Sequence, residues 1–128
     1  RSYSVTGVQT CALPISLGRT ENPEMVAEVA DLLVRLEGAA WAICGGLFKG
    51  LYFLSVRAAE GQGKDAWLLL SDVMRDQGSF GGHGTVAGGR IRVVDDSDRG
   101  LRRLEASLKR GLLEALGERG TAPRRLGG

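Results

Sequence analysis

The most informative stretch of this chain is residues 78–90, GSFGGHGTVAGGR. It holds six of the 20 glycines and the single histidine, His83. Glycine weakens regular helices and strands, and it is favoured where the backbone reaches positive φ or lets a ligand approach closely. Most of this stretch, residues 78–88, is therefore predicted to form a long loop. Such a loop is either a plain turn or an anion-binding concavity built from successive backbone N–H groups.

The segments around this loop alternate between helical and strand patterns. Asn22 followed by Pro23 favours a helix start, and Gly38 favours its end. The turn Lys49-Gly50 separates two apolar runs and predicts a β-hairpin. The pattern gives, in chain order, a helix over 23–37, strands over 40–44 and 51–57, a helix over 65–77, a strand over 89–94 and a helix over 98–116. The expected fold class is α/β, a small mixed β-sheet with helices packed on it.

The beginning of the chain has a different character from the rest. Residues 5–15, VTGVQTCALPI, resemble an in-frame translation of a short-read sequencing adapter, and the chain begins with Arg1 rather than Met. We therefore expect residues 1–16 to be an artefact outside the fold, with a natural lead-in strand as the alternative. The predicted domain is then 17–116, followed by a disordered basic tail over 117–128. On this interpretation the gene continues upstream of Leu17.

Composition restricts the compartment and the chemistry. Outside the first 16 residues Cys44 is the one cysteine, and its apolar surroundings predict a core thiol in a reducing cytoplasm rather than a disulfide or a nucleophile. No apolar run has the roughly 18 residues of a membrane span. The acidic cluster 95–98 lacks the spacing of a calcium loop and is predicted to be a turn and helix cap.

Charge is unevenly distributed along the chain. Residues 99–128 carry eight Lys or Arg against three Glu, whereas residues 1–98 carry nine against twelve. A basic end can attract phosphates or nucleic acid. A solvated helix face and a frayed terminus explain the same pattern, and this interpretation is favoured.

The candidate binding residues lie in the second strand and in the glycine loop. Ser55 and Arg57 share one face of the strand 51–57, since side chains alternate. Arg57 can hold a phosphate through two charge-assisted hydrogen bonds, Ser55 can add a hydroxyl, and the amides of 81–84 can complete a cradle. His83 can donate a hydrogen bond or act as an acid or base. A solvated strand end for Arg57 and a loop-bracing hydrogen bond for His83 remain open.

These residues resemble the DHH-associated C-terminal domain of the DHH-family phosphoesterases, which are RecJ-like enzymes of the oligoribonuclease and pAp-phosphatase type. Residues 79–89 are similar to its GGGH…A-G-G signature, and residues 51–57 to its strand with an S-x-R signature. The resemblance covers about 19–115. Ser79 and Phe80 stand where glycines often occur.

The resemblance implies a substrate-holding domain without catalytic residues of its own. The implied binding residues are Ser55, Arg57, Gly81, Gly82, His83 and Gly84, with Ala87, Gly88 and Gly89 shaping the loop. In the family, a separate DHH domain binds manganese and hydrolyses short oligonucleotides or nucleotide phosphates. This chain has no comparable ligand set, so it is expected to be inactive alone and to need a DHH domain encoded upstream. Association of several copies is left open.

A second interpretation is a non-catalytic nucleic-acid-binding module. The same type of domain occurs at the end of alanyl-tRNA synthetases, and the basic final segment fits that use. The upstream gene would discriminate between the two interpretations, since a DHH motif supports the phosphoesterase and a synthetase or editing domain supports the module.

Overall fold

A computed structural model describes residues 11–59, 66–118 and 122–123. The elements in chain order are β1 (Cys11–Arg19), α1 (Glu24–Glu37), β2 (Trp41–Phe48), β3 (Leu51–Ala58), α2 (Ala66–Met74), β4 (Ser79–His83), β5 (Val86–Arg92), α3 (Asp98–Glu118) and the two-residue β6 (Ala122–Pro123). One sheet joins all the strands in the order β4-β5-β3-β2-β1-β6. Its first three pairings are antiparallel and the last two are parallel. The predicted α/β class with a mixed sheet is confirmed.

The hairpin formed by β2 and β3 is the centre of the sheet. Its register runs from Trp41 opposite Ala58 to Phe48 opposite Leu51. Lys49 and Gly50 close it with φ angles of 49° and 78°. Two positive φ values in a two-residue loop match the right-handed twist of the flanking strands. The predicted hairpin and its turn are confirmed.

The ends of α1 follow from local chemistry. The side-chain oxygen of Asn22 accepts a hydrogen bond from the Glu24 amide at 2.9 Å, and Pro23 between them lacks an N–H to satisfy. At the other end Gly38 takes the left-handed conformation with φ 67°, which ends the helix without steric cost. The predicted range 23–37 is correct to within one residue.

The prediction of a loop over 78–88 is wrong. Residues 79–83 form β4 and residues 86–92 form β5, and the two strands pair as a hairpin. The turn lies at Gly84, with φ 60°. Pairing of β5 with β3 along seven residues outweighs the weak strand preference of glycine. The strand predicted over 89–94 therefore begins three residues earlier and ends two residues earlier.

Close packing explains why some of these strand positions are glycine. A Cβ atom on Gly89 would lie 2.9 Å from the Phe80 Cβ and 3.1 Å from the Met74 methyl carbon. A Cβ on Gly82 would lie 2.3 Å from the Val86 carbonyl oxygen, and its φ of 147° also disfavours a side chain. Glycine at these positions lets neighbouring backbone and α2 approach the sheet.

The strand β1 includes residues 11–16, which were expected to lie outside the fold because they resemble a sequencing adapter. Ala12 and Leu13 are fully buried, and β1 pairs with β2 in parallel over its length. Residues 11–16 therefore form a strand, as the alternative interpretation of a natural lead-in strand predicted. Its adapter origin stays a prediction about the gene, which resequencing would test. The helix α3 and β1 both extend past the predicted domain limits of 17 and 116.

Helices cover the two faces of the sheet unequally. On one face α1 packs over β1, β2 and β3 around a core that contains Val26, Ala30 and Leu33. On the other face α2 and α3 enclose the larger core. Most of the predicted tail 117–128 lies outside the described residues, except that α3 extends to Glu118 and residues 122–123 pair with β1.

Candidate functional site

Three candidate residues lie in one row across the sheet. Ser55 of β3 lies opposite Gly88 of β5, and Gly88 lies opposite Gly81 of β4. Directly paired residues project from the same face, so this row is on the side of the sheet that carries α1. The structure therefore brings together Ser55, Gly81 and Gly88, which the sequence analysis selected from two separate motifs.

This row forms part of a groove beside the N-terminal end of α1. The groove has a volume of about 530 Å³. Its lining residues are Pro23, Glu24, Ala27, Phe53, Leu54, Ser55, Ser79, Phe80, Gly81, Gly88, Gly89 and Arg90. We call it the sheet groove. It exists because α1 covers the sheet only as far as β3, and because Gly81 and Gly88 place no side chains on the neighbouring part of β4 and β5.

The two glycines of the row keep the groove open. A Cβ added to Gly81 would meet nothing within 4 Å, and one added to Gly88 would meet only the Leu54 carbonyl oxygen at 3.5 Å. Neither residue has positive φ. Open space beside the backbone therefore distinguishes Gly81 and Gly88 from Gly82 and Gly89, where neighbouring atoms leave no room for a Cβ.

Arg90 is a groove residue that was not among the residues predicted from the sequence. Arg90 lies opposite Phe53 and Ser79, on the same face as Ser55, and its side chain is exposed. If residues 86–92 had been predicted as a strand, the alternation of side chains would have placed Arg90 on the same face as Gly88. Glu24 also lines the groove, so its electrostatic field is mixed rather than uniformly attractive to phosphate.

Arg57 is held away from this groove. Its Nε donates to Asp31 of α1 at 2.6 Å, and its Nη1 donates to the carbonyl oxygens of Val56 and Ala87 at 3.0 and 3.3 Å. The Arg57 side chain is 14% exposed. The sequence alternative of a solvated strand end does not apply to this ion-paired residue. A phosphate on Arg57 would have to compete with the Asp31 carboxylate.

The remaining candidates lie toward the hairpin turn. His83 is exposed at the end of β4, opposite Val86, and does not line the groove. Residues 81–83 belong to β4 and pair with β5, so they are part of a strand ladder rather than of a free loop. The Gly84 carbonyl oxygen accepts a hydrogen bond from the Ala66 amide at 2.7 Å, and Ala87 is buried in the core. A binding role for these residues stays a prediction.

A second candidate surface runs along the outside of α3. Five cationic side chains, Arg99, Arg102, Arg103, Lys109 and Arg110, are exposed there. At 3.6 residues per turn they fall within an arc of about 120°, opposite the buried residues Leu101, Leu108 and Leu112. Arg99 and Arg110 are about 16 Å apart along the axis at 1.5 Å per residue. We call this surface the basic stripe.

Two acidic residues of α3, Asp98 and Glu114, lie beside the stripe and have other partners. Asp98 pairs with Arg19 at 3.1 Å, and Glu114 pairs with Arg75 at 3.2 Å. Within the described part of the chain, none of the five stripe cations makes an ion pair. Arg103 lies close enough to Asp95 to help lower the pKa of that carboxyl, after the hydrogen bonds from Ser97. The stripe is therefore available to an external anion.

The inner side of α3 is anchored to the sheet by Glu105. The Tyr52 hydroxyl donates to the Glu105 carboxylate at 2.6 Å, and the Ser16 hydroxyl also donates to it. Burial first, and then Glu105, raise the pKa of Tyr52. These residues border a cavity of about 320 Å³ between α3 and the sheet. They fix the rotation of α3, so that its cations point outward.

Two predictions about chemistry are resolved by burial and capping. Cys44 is fully buried, and burial raises its pKa to about 11. A neutral buried thiol confirms the prediction of a core residue.

Ser97 accepts a hydrogen bond from the Gly100 amide at 3.1 Å, and Asp95 accepts two from Ser97. The acidic cluster is the cap of α3, as predicted.

Across residues 11–59, 66–118 and 122–123, no three His, Cys, Asp or Glu side chains gather as a metal ion would require. The manganese implied by the resemblance was assigned to a different domain, and it stays an expectation about that domain. None of the described helices combines the length and the apolar character needed to cross a membrane.

Comparison with known proteins relates the fold of this chain to solved structures. No protein-family model matches the chain, and no curated protein matches it. Among solved structures, the C-Ala domain from Aquifex aeolicus alanyl-tRNA synthetase is similar, with a TM-score of 0.55 and 16% sequence identity over 75% of this chain and 89% of that chain. The two share a fold. At this identity the likeness concerns the fold alone, and it agrees with the second interpretation of the sequence.

Proposed function

We propose that this chain is a nucleic-acid-binding module that contacts phosphates through the basic stripe of α3. The observation that carries the proposal is the set of five exposed cations along one face, with the acidic residues of the helix on its flanks. Clustered Lys and Arg on one helix face is the electrostatic footprint of such proteins. The fold shared with a C-Ala domain of a tRNA synthetase supports the proposal.

The stripe contributes affinity but little sequence specificity. Phosphate contacts position a protein on nucleic acid, while base contacts specify the site. Four of the five cations are arginines, which bind phosphate in a fixed planar geometry. We therefore expect binding to depend on the shape and charge of an RNA more than on its sequence.

Salt-dependent binding to a tRNA transcript tests the proposal. If all five cations contact phosphates, log K should fall with log salt concentration with a slope of about −3.5 to −4.5. The variant Arg102→Gln/Arg110→Gln should reduce that slope by about 1.4–1.8. Lys49→Gln/Arg92→Gln removes the same charge away from α3 and is the matched control. Absence of binding at 50 mM salt, or equal losses in the two variants, would contradict the proposal.

A second function is supported by the sheet groove. Ser55, Gly81 and Gly88 form a row at its floor, with the Arg90 cation beside them. This arrangement fits a domain that holds a nucleotide phosphate for a manganese-dependent phosphoesterase domain encoded upstream. The chain's own residues would bind and orient the phosphate, whereas hydrolysis would need the other domain.

The two functions are separable because they use opposite faces of the sheet. Gly81→Val should narrow the floor of the groove, and its Cβ has open space, since nothing lies within 4 Å of it. NMR titration with adenosine 3′,5′-bisphosphate should show shifts around β3, β4 and β5 that this variant abolishes. Binding of tRNA should be unchanged. Hydrolysis by the purified chain with manganese would contradict the assignment of catalysis to another domain.

A further inference from the structure

The outer flank of α1 carries an apolar stripe, of which one residue, Val29, also packs against the core. It consists of Met25, Val29, Leu32 and Leu36, at spacings of four, three and four residues. Leu36 is 75% exposed, Met25 45% and Leu32 43%, while Val29 is partly buried. We call this set the α1 stripe. Its spacing is that of the a and d positions of a helix pair.

The packing of α1 on the sheet does not require this stripe. Val26, Ala30 and Leu33 make the buried contacts, and they lie about a quarter of a turn away at 3.6 residues per turn. Single exposed apolar residues are ordinary, but a continuous row of four along a helix marks an interaction surface.

We propose that the α1 stripe pairs with the same stripe of a second copy in an antiparallel, two-fold symmetric arrangement. In such a pair, Met25 packs opposite Leu36 of the second copy, and Val29 packs opposite its Leu32. Both pairs have the same midpoint along the helix, so a single two-fold axis satisfies them. An isologous interface requires this self-complementarity of a surface patch.

The charges beside the stripe favour the same arrangement. Glu28 and Arg35 lie one heptad apart on the same flank, and neither makes an ion pair within the described part of the chain. The antiparallel pair brings Glu28 of each copy beside Arg35 of the other. A parallel pair would instead bring this flank beside the apolar flank of Val26 and Leu33, which offers no opposite charge. Such flanking charges set the orientation of helix pairs.

The interface would be small, and its consequence concerns nucleic-acid binding. The 14 residues of α1 span about 21 Å. One pair of helices of this length buries less surface than the roughly 1,600 Å² of a standard interface, so weak association is expected. Because α1 and α3 cover opposite faces of the sheet, pairing through α1 leaves both basic stripes accessible. A dimer would then engage one RNA with two stripes and gain avidity.

Sedimentation equilibrium of the chain from 10 µM to 1 mM tests this inference. The wild-type chain should show a concentration-dependent dimer. Leu32→Ser should raise the dimer Kd about 100-fold, because one leucine is lost from each copy. Val94→Ser removes a side chain that is 98% exposed and is the matched control. Leu36→Gln provides a second stripe variant, and circular dichroism confirms that each variant is folded.

Charge reversal distinguishes self-pairing from other associations. Glu28→Arg and Arg35→Glu should each weaken the dimer, since each creates two like-charge contacts, and the double variant should restore it. A monomer throughout the concentration range would overturn the inference, and would leave the stripe to another domain or protein. A dimer unaffected by the stripe variants, or one that the double reversal does not restore, would overturn it as well.

Discussion

Replacement of Arg57 separates a structural role from a ligand-binding role. The guanidinium bonds to Asp31 and to two backbone carbonyl oxygens, and thereby ties α1 to β3 and β5. The ion pair contributes about 0.5–1 kcal/mol, because the Asp31 side chain is 51% exposed. Hydrogen bonds from a charged donor to the backbone contribute about 1–1.5 kcal/mol more. Arg57→Ala should therefore lower the free energy of unfolding by about 2 kcal/mol.

Urea unfolding measures this loss directly. With a slope of about 1–1.5 kcal/mol per molar urea for a domain of this size, the midpoint should fall by roughly 1.5 M. Asp31→Ala should cost about 1 kcal/mol. A double-mutant cycle should give a coupling energy of about 0.5–1 kcal/mol between the two residues.

The ligand measurements decide between the two roles. If the pair is structural, binding of tRNA and of adenosine 3′,5′-bisphosphate to folded Arg57→Ala should match the wild-type chain. The S-x-R resemblance implies the reverse, a loss of about 1.5–3 kcal/mol in phosphate binding. Unchanged stability together with weakened phosphate binding would refute the structural argument. Tighter phosphate binding in Asp31→Ala would also assign Arg57 to a ligand.

Two further predictions concern packing and pH. Gly89→Ala should destabilise the fold by about 1–3 kcal/mol, because the new Cβ would lie 2.9 Å from the Phe80 Cβ. Gly81→Ala is the control, since its Cβ has open space, and it should change stability by less than about 0.5 kcal/mol. Equal effects of the two substitutions in urea unfolding would contradict this prediction. The raised pKa of Cys44, about 11 against 9.0 unfolded, means that the unfolded chain loses this proton first. The contribution of Cys44 to stability should therefore be constant from about pH 6 to 9 and fall toward pH 11, with Tyr52 adding to the fall above about pH 10. Cys44→Ala/Tyr52→Phe should flatten this dependence, and an unchanged slope would show that these groups are not its cause.

Local sequence signals predicted the elements that depend on local chemistry. The cap of α1 by Asn22, its end at Gly38 and the turn at Gly50 each follow from a preferred backbone conformation or a nearby side chain. The apolar periodicity of α3 and the burial of Cys44 also followed from the pattern. Such interactions link residues within a few positions of each other, so they can be recognised without the fold.

The glycine hairpin shows what local signals could not predict. Gly82 and Gly89 look like loop residues in the sequence, yet they are strand residues whose missing side chains admit neighbouring atoms. Gly81 and Gly88 instead keep a groove open. Whether a glycine serves a turn, a close contact or a cavity depends on which strand lies beside it, and β5 pairs with a strand about 30 residues earlier in the chain.

The candidate sites depend on tertiary structure for the same reason. Sequence alone determined that cations accumulate after residue 98 and that Ser55 and Arg57 share a strand face. Only the fold decided that Arg57 forms an ion pair with Asp31. It also placed Ser55 in a row with Gly88 and Gly81. In the same way it let Glu105 anchor α3 with the cations of that helix facing outward. Charge and alternation are properties of the chain itself, whereas each of these pairings joins residues that only the packed sheet and helices bring together.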